Sequence, residues 1–315
     1  MSGAMSGVRK EADLFLFGLM LVLCAFWGSQ QVVIKLAAND VAPMMQVALR
    51  SGIAALLVAC VLLWRRDCSG WVGGTWQAGM LAGTLFCLEF LFIALGLQYT
   101  SASHMSVLLY TAPIFSALGL HMMLASERLR LLQWLGVGVC FIGIVVAFGW
   151  GVSWSDLTGK VLLGDFLGLL AGIAFGGTTV VVRGSRLSEA PPHLTLLYQL
   201  CTAFVLLLGY AAVTGQLKPL QWTPLGVGSV LFQGVFVSFF SYLAWFWLLR
   251  RYLASNLGVF SFMTPMYGVV FGVLILDEPL TSNFIAGALL VLLGIMLVSN
   301  HVWLLRQLKR WLRAY

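Results

Sequence analysis

A single carboxylate stands deep inside an unbroken apolar run: Glu89, in F-C-L-E-F-L-F. An unpaired charge in hydrocarbon costs at least about 2.5–3.5 kcal/mol, so this group must face a partner, water or a ligand. Protonated, it can carry a proton; ionised, it can hold a substrate ammonium. The plain structural alternative is a hydrogen bond or a pairing with Arg50, the one arginine within an apolar segment, which we read as structural. A second group shares one helical face: His104, Leu108, Thr111 and Phe115, with Tyr110 on a neighbouring face. Its counterpart is Asn256, Phe260, Met263 and Tyr267. Two polar groups among aromatics and a methionine suit a substrate with polar and apolar parts. Pro113 and Pro265 fall within these stretches. Proline removes a backbone donor and frees the carbonyl one turn earlier; paired breaks of this kind point to a midplane binding site, or to a plain kink. Gln30, one turn after Trp27, and Gln233 with Tyr242 are further polar candidates, though such groups more often form interhelical hydrogen bonds than ligand contacts.

No H-E-x-x-H, no G-x-x-x-x-G-K-[ST] and no serine–histidine spacing is present, so catalytic residues, a metal site and a cofactor are not expected. The chain reads as a non-enzyme and, lacking a nucleotide site, not as a primary pump. A phosphate-rich substrate needs buried cations, and only Arg50 is available away from the span ends. That favours a neutral or zwitterionic substrate.

These residues need elements to hold them. The chain is 61% apolar and 9% charged, with a mean hydropathy of +0.97, whereas soluble domains carry about 25% charge. A helix crossing the hydrocarbon core needs about 20 apolar residues. Ten such segments are expected, at 13–36, 43–64, 74–98, 101–124, 131–149, 161–184, 192–214, 224–249, 254–276 and 282–305. The fold class is therefore an all-α polytopic membrane protein without room for a soluble domain. The first segment reads as an uncleaved span, because its apolar run is too long for a signal peptide and further spans follow. Cys24, Cys60, Cys87, Cys140 and Cys201 lie inside the spans without metal-ligand spacing and read as packing residues.

Basic residues near span ends set orientation. With the N-terminus inside, fourteen of the eighteen fall on the cytoplasmic side, and only Lys35, Lys160 and Lys218 on the other. The net charge of +7 is thus topology rather than nucleic-acid affinity, and both termini are expected in the cytoplasm. The tail 306–315 interleaves Leu308, Trp311 and Leu312 with Arg306, Lys309, Arg310 and Arg313. It is expected to lie along the anionic lipid of the inner leaflet, or else to bind a partner helix.

The chain repeats itself. S-E-R-L-R-L-L-Q-W-L-G (126–136) and D-E-P-L-T-S-N-F-I-A-G (277–287) align Glu127 with Glu278 and Gly136 with Gly287, and Gly143 with Gly294 follows. Ala102/Ala254, Ser103/Ser255 and Pro113/Pro265 match at a spacing of 152, and Gly28/Gly176, Lys35/Arg183 and Pro43/Pro191 at 148. Two halves of five spans each, 1–150 and 151–305, follow. An odd number of spans makes the second half enter from the opposite face, so the repeat is inverted. Gly164, Gly168, Gly172 and Gly176 form a flat ridge on the sixth span, either static packing or a surface on which the halves rock.

Five plus five spans, with S-E-R-L…W-L-G…G and D-E-P-L…G…G closing the halves, resembles the EamA-type members of the drug/metabolite transporter superfamily from about residue 13 to 303. The nearest resemblance within it is to YddG-type amino-acid exporters, with Asp277 departing from Ser126 in the matching loop. The resemblance implies a bacterial inner-membrane exporter of amino acids, aromatic or bulky neutral ones, or of related metabolites. On this reading a central cavity opens alternately to each side, and one chain with both repeats can work as a monomer. The alternative is a channel-like facilitator without alternating access.

Overall fold

The computed structural model describes residues 13–65, 74–123, 129, 131–149, 159–217, 221–252, 257, 260–261 and 263–299. Asn256, Glu127 and the tail 306–315 lie outside them. The described residues are helical and contain no β-strand. In chain order the helices are α1 (Leu14–Leu36), α2 (Pro43–Arg65), α3 (Trp76–Gly96), α4 (Ala102–Leu109), α5 (Ala112–Met123), α6 (Leu131–Gly149), α7 (Gly159–Gly184) and α8 (Pro192–Val213). Then follow α9 (Pro224–Leu231), a π-helical stretch (Phe232–Phe240), α10 (Ser241–Arg251), α11 (Met263–Leu276) and α12 (Ser282–Ser299).

The boundaries follow from side-chain chemistry. Asp13 accepts a hydrogen bond from the Leu16 amide (2.7 Å) to start α1, Ser101 accepts from the His104 amide (3.0 Å) to start α4, and Thr223 accepts from the Gly226 amide (3.0 Å) to start α9. Each supplies an acceptor for an amide with no intrahelical partner. Between the caps, seven stretches are long and apolar enough to cross a membrane: α1, α2, α3, α4–α5 together, α7, α8, and α9 through α10. The shorter apolar helices α6, α11 and α12 occupy three further segments expected from the sequence. Leu56, Leu63, Leu131, Val213 and Leu274 are exposed on the outside, as a lipid-facing surface requires. Cys60 and Cys201 are also exposed, so the packing role expected of them holds only for Cys24, Cys87 and Cys140.

The interior is assembled by glycine-mediated approach. The ridge on α7 meets the fourth segment: a Cβ on Gly172 would lie 2.9 Å from the Leu108 carbonyl, and one on Gly176 2.8 Å from that of Ala112. Gly28 of α1 meets 264–268 of α11 in the same manner, with the Thr264 carbonyl at 2.7 Å. Helices α6 and α12 clasp each other where Gly143 faces Gly287 and Gly294 faces Gly136. α2 packs on α8, α3 on both α7 and α8, and α4 on α11. Any side chain at these glycines forces the helices apart, because apolar surfaces in lipid gain little from meeting except by close fit.

Pro113 stands in the first turn of a helix. The fourth segment breaks at Tyr110–Thr111 and resumes as α5 at Ala112, so Pro113 costs no helical hydrogen bond. Pro265 lies within α11, and the described residues 260 and 261 ahead of it are also helical.

Candidate functional site

Among the described residues the most deeply enclosed charge is Arg50, on α2, fully buried at 0% exposure. It lies seven residues inside its helix, about 10 Å from the end at 1.5 Å per residue. Glu89, 4% exposed, lies equally far from the end of α3. The two helix ends share one face: Pro43 and Leu97 both line an open cavity of roughly 480 Å³, with Lys35, Ala38, Ala42, Gln98 and Gln216.

Arg50 Nη1 donates to Gln30 Oε1 on α1 (2.7 Å), and its guanidinium lies 3.7 Å over the Phe90 ring. Glu89 and Tyr242 are close enough to act on its charge, and Glu89, Cys24 and Tyr242 are likewise close to Tyr110. Arg50 and Glu89 do not touch: the pairing considered from the sequence is an influence through space rather than an ion pair. Arg50 Nε, Arg50 Nη2 and Glu89 Oε2 are buried without a protein hydrogen-bond partner. One turn toward the cavity, Gln46 donates to the carbonyls of Ile34 (3.0 Å) and Val41 (2.9 Å) and accepts from Gln233 Nε2 (2.9 Å). Gln233 belongs to the π-helical stretch, whose i→i+5 bonding is rare and recurs at functional sites. Its Oε1 and the Ser238 hydroxyl have no protein partner.

Beside this cluster lies an aromatic group. Trp27 Nε1 donates to Ser241 Oγ (2.8 Å) and packs edge-on against Trp245. Met263 and Tyr267 join the same cluster, and Tyr267 stacks on Phe271 at 5.5 Å.

A second charged group occupies the face that bears Lys35. Lys35 Nζ pairs with Glu278 Oε1 (3.0 Å) and donates to the Thr100 carbonyl (3.0 Å). Glu278 accepts from the amides of Ala102 (2.7 Å) and Ser103 (2.9 Å) and from the Ser103 hydroxyl (2.8 Å), capping α4 from the break between α11 and α12. Burial pushes its carboxyl upward, but the Ser103 and Ala102 amides, the Ser103 hydroxyl and Lys35 together hold it below its ordinary value. Alongside, Asp165 of α7 accepts from the Thr100 hydroxyl and faces His104 Nδ1 at 3.1 Å, while the His104 ring stacks on Phe284.

The structure therefore gathers Gln30, Glu89, Tyr110 and Tyr242 around Arg50, with Gln233 adjoining, and groups Trp27, Met263 and Tyr267 beside them. It does not bring His104 or Thr111 into that gathering by any contact described. His104 serves the Asp165 group, and Thr111 Oγ1 donates to the Leu108 carbonyl (2.6 Å) of its own helix. Gly168 and Gly172 belong to the interface between α7 and the fourth segment, and Pro113 lies in α5, which packs on α7. Sequence reasoning missed Asp165, a second buried acid inside a helix, because it stands near a span end; only its apolar neighbours Leu163 and Phe166 marked it. It also left Arg50 structural, since nothing in the sequence shows which atoms of a side chain go unpaired.

Long apolar helices enclosing a buried polar centre define a multi-pass helical membrane protein. The chain belongs to the EamA-like transporter family, whose sequence model matches residues 15–149 and again 162–300. It is similar to the uncharacterized transporter YoaV of Bacillus subtilis (strain 168), 26% identical over 272 residues, which are 86% of this chain and 92% of that one. It is also similar to a probable amino-acid metabolite efflux pump of Salmonella typhimurium, 24% identical over 294 residues, 88% of this chain and 92% of the relative. A solved crystal structure aligns with a TM-score of 0.64 over 95% of this chain and 100% of its own, at 18% identity, a likeness of fold alone.

Proposed function

We propose that this transporter exports amino acids, with aromatic or bulky neutral ones as the substrate class, across the bacterial inner membrane by alternating access. In this reading ten spans form two inverted five-helix repeats, 1–150 and 151–305, and both termini are cytoplasmic. Several observations support the architecture. The family model matches two stretches of similar length. The contact of Gly28 with 264–268 has its counterpart in that of Gly176 with 112–116, and α6 and α12 meet through equivalent glycines. Two related halves can exchange conformations, so that one chain opens to either side in turn. One chain holding both halves suffices as the transporting unit.

The observation that carries the functional reading is the Arg50–Glu89 centre. Charges at that depth, enclosed by α1, α2 and α3 of one half and by Tyr242 of the other, belong to function by default inside a membrane protein. The substrate class takes its support from the Salmonella relative's name and from the scarcity of buried cations. The aromatic group around Trp27 and Tyr267 gives such a substrate apolar walls.

The test is uptake of a labelled amino-acid panel into proteoliposomes carrying the full-length protein, with and without a pH gradient. Saturable flux that speeds up when unlabelled substrate waits on the opposite side is the expected result. Flux without that trans-stimulation would mean a channel-like facilitator instead.

A further inference from the structure

We propose that Arg50 is the residue that takes the carboxylate of the transported molecule, which makes the substrate class α-amino acids rather than amines or uncharged solutes. The proposal rests on the transport reading above and assigns the recognition chemistry of its site.

The Arg50 guanidinium is only partly occupied by protein. Nη1 is used by Gln30, and the ring of Phe90 covers one face. What is left are Nε and Nη2, both buried and without a protein partner. Covalent geometry sends the Nε–H and one Nη2–H bond out along the same edge, parallel to each other. That edge is the fork that meets the two oxygens of a carboxylate in a bidentate pair. Gln30 and Phe90 fix the plane of the group, so the fork is aimed before any ligand arrives.

A purely structural arginine at this depth is expected to have its donors paired, because an uncompensated buried charge is among the most destabilising features a fold can carry. The nearest acid does not provide that pairing. Glu89 acts on Arg50 through space, makes no ion pair with it among the described residues, and leaves its own Oε2 without a partner. A buried cation with an open fork and a buried acid with an open oxygen lie within electrostatic reach of each other. An α-amino acid carries a carboxylate and an ammonium one carbon apart, and it satisfies both at once. Tyr110 and Tyr242 lie close by to receive its side chain.

The experiment is a set of ligand titrations read as thermal shifts of the full-length protein in detergent. The probes are L-phenylalanine, L-phenylalaninamide, 2-phenylethylamine and 3-phenylpropanoate. The wild type should bind phenylalanine at least about tenfold more tightly than the amide or the amine, a difference of ~1.4 kcal/mol. Arg50→Lys keeps a charge but loses the fork, and should bring the acid-to-amide ratio close to one. Glu89→Gln should keep that ratio while narrowing the preference for phenylalanine over 3-phenylpropanoate. If Arg50→Lys fails to fold, Gln30→Ala serves in its place, releasing the guanidinium from its anchor and lowering the same ratio about threefold.

An amide or amine that binds wild type as well as the acid overturns the Arg50 assignment while leaving a transporter of another substrate class. An acid-to-amide ratio unmoved in Arg50→Lys, or in Gln30→Ala where that variant stands in, overturns it as well. If none of the four probes binds the folded wild type, the amino-acid reading and the Arg50 assignment fall together.

Discussion

Near one face, Lys35, Glu278, Thr100, Asp165 and His104 bind one another and the start of α4; about two turns deeper, Arg50 and Glu89 are buried with no ion pair between them. The first group is closed. Glu278 alone takes two amides, a hydroxyl and an ammonium, and none of the group's buried atoms lacks a protein partner. The second is open, with three atoms of its two charged residues unsatisfied by protein. Burying a charge is costly in either case, but the closed group offsets that cost within the fold. It ties α1, α4, α7 and the α11–α12 break together. The open group has no such compensation from protein atoms. On the proposed reading, the difference separates charges that hold helices from charges that hold cargo.

The comparison can be broken most forcibly at Glu278. Glu278→Ala removes the cap of α4 and strands Lys35, and we expect a stability loss of about 3 kcal/mol, read as a lowered detergent melting temperature. A melting temperature unchanged from wild type would mean that the closed group holds nothing. Gly172→Leu comes next. Its Cβ alone would stand 2.8 Å from Thr111 Oγ1, and overpacking of this kind costs roughly 1–3 kcal/mol. The protein should still fold while transport falls, if, as proposed, the interface bearing Asp165 and Thr100 shifts when the site changes sides. Undiminished flux would make the glycine ridge static packing.

Glu89→Gln has a smaller effect on the fold and a selective one on flux. Replacing a charge that has no direct partner should change stability by less than about 1 kcal/mol, yet transport should drop roughly tenfold or lose its response to a pH gradient. Wild-type flux at every pH would remove Glu89 from the mechanism. The smallest effect concerns pH and the closed group. The folded state holds Glu278 below its ordinary value of 4.5. The stabilisation it gives is therefore complete above that value and is lost as the pH falls below it, through the lowered folded-state value. Melting temperature in wild type should accordingly owe no variation to Glu278 from pH 5 to 8, within about 1 °C, and Glu278→Gln should abolish the acid-side loss attributable to it.

Much of the scaffold was readable from residues alone. Apolar length marked the helical segments, glycine spacing marked the ridge on α7, and Pro113 marked the break at Tyr110–Thr111. Those signals are local, so a window of twenty residues contains them. Glu89 was also legible, because a charge among phenylalanines and leucines has no bland surroundings. The partners were not. Lys35 and Glu278 are 243 residues apart and His104 and Asp165 are 61 apart, and which of them meet depends on the rotation of each helix about its axis. His104 and Thr111 share a face with site-like spacing, yet one turns to Asp165 and the other back to its own carbonyl. The π-helical stretch at Phe232–Phe240 left no mark in the sequence, since apolar residues satisfy either helical geometry. The open edge of Arg50 is of the same kind: a property of orientation, invisible in composition.

Counterflow of labelled phenylalanine tests most directly whether cargo binds at the open group. Proteoliposomes would carry equal amounts of folded wild type and Arg50→Lys, loaded with unlabelled phenylalanine. Wild type should exchange, and the variant should lose at least about tenfold of that exchange while melting close to wild type. Exchange by Arg50→Lys at the wild-type rate would contradict the account.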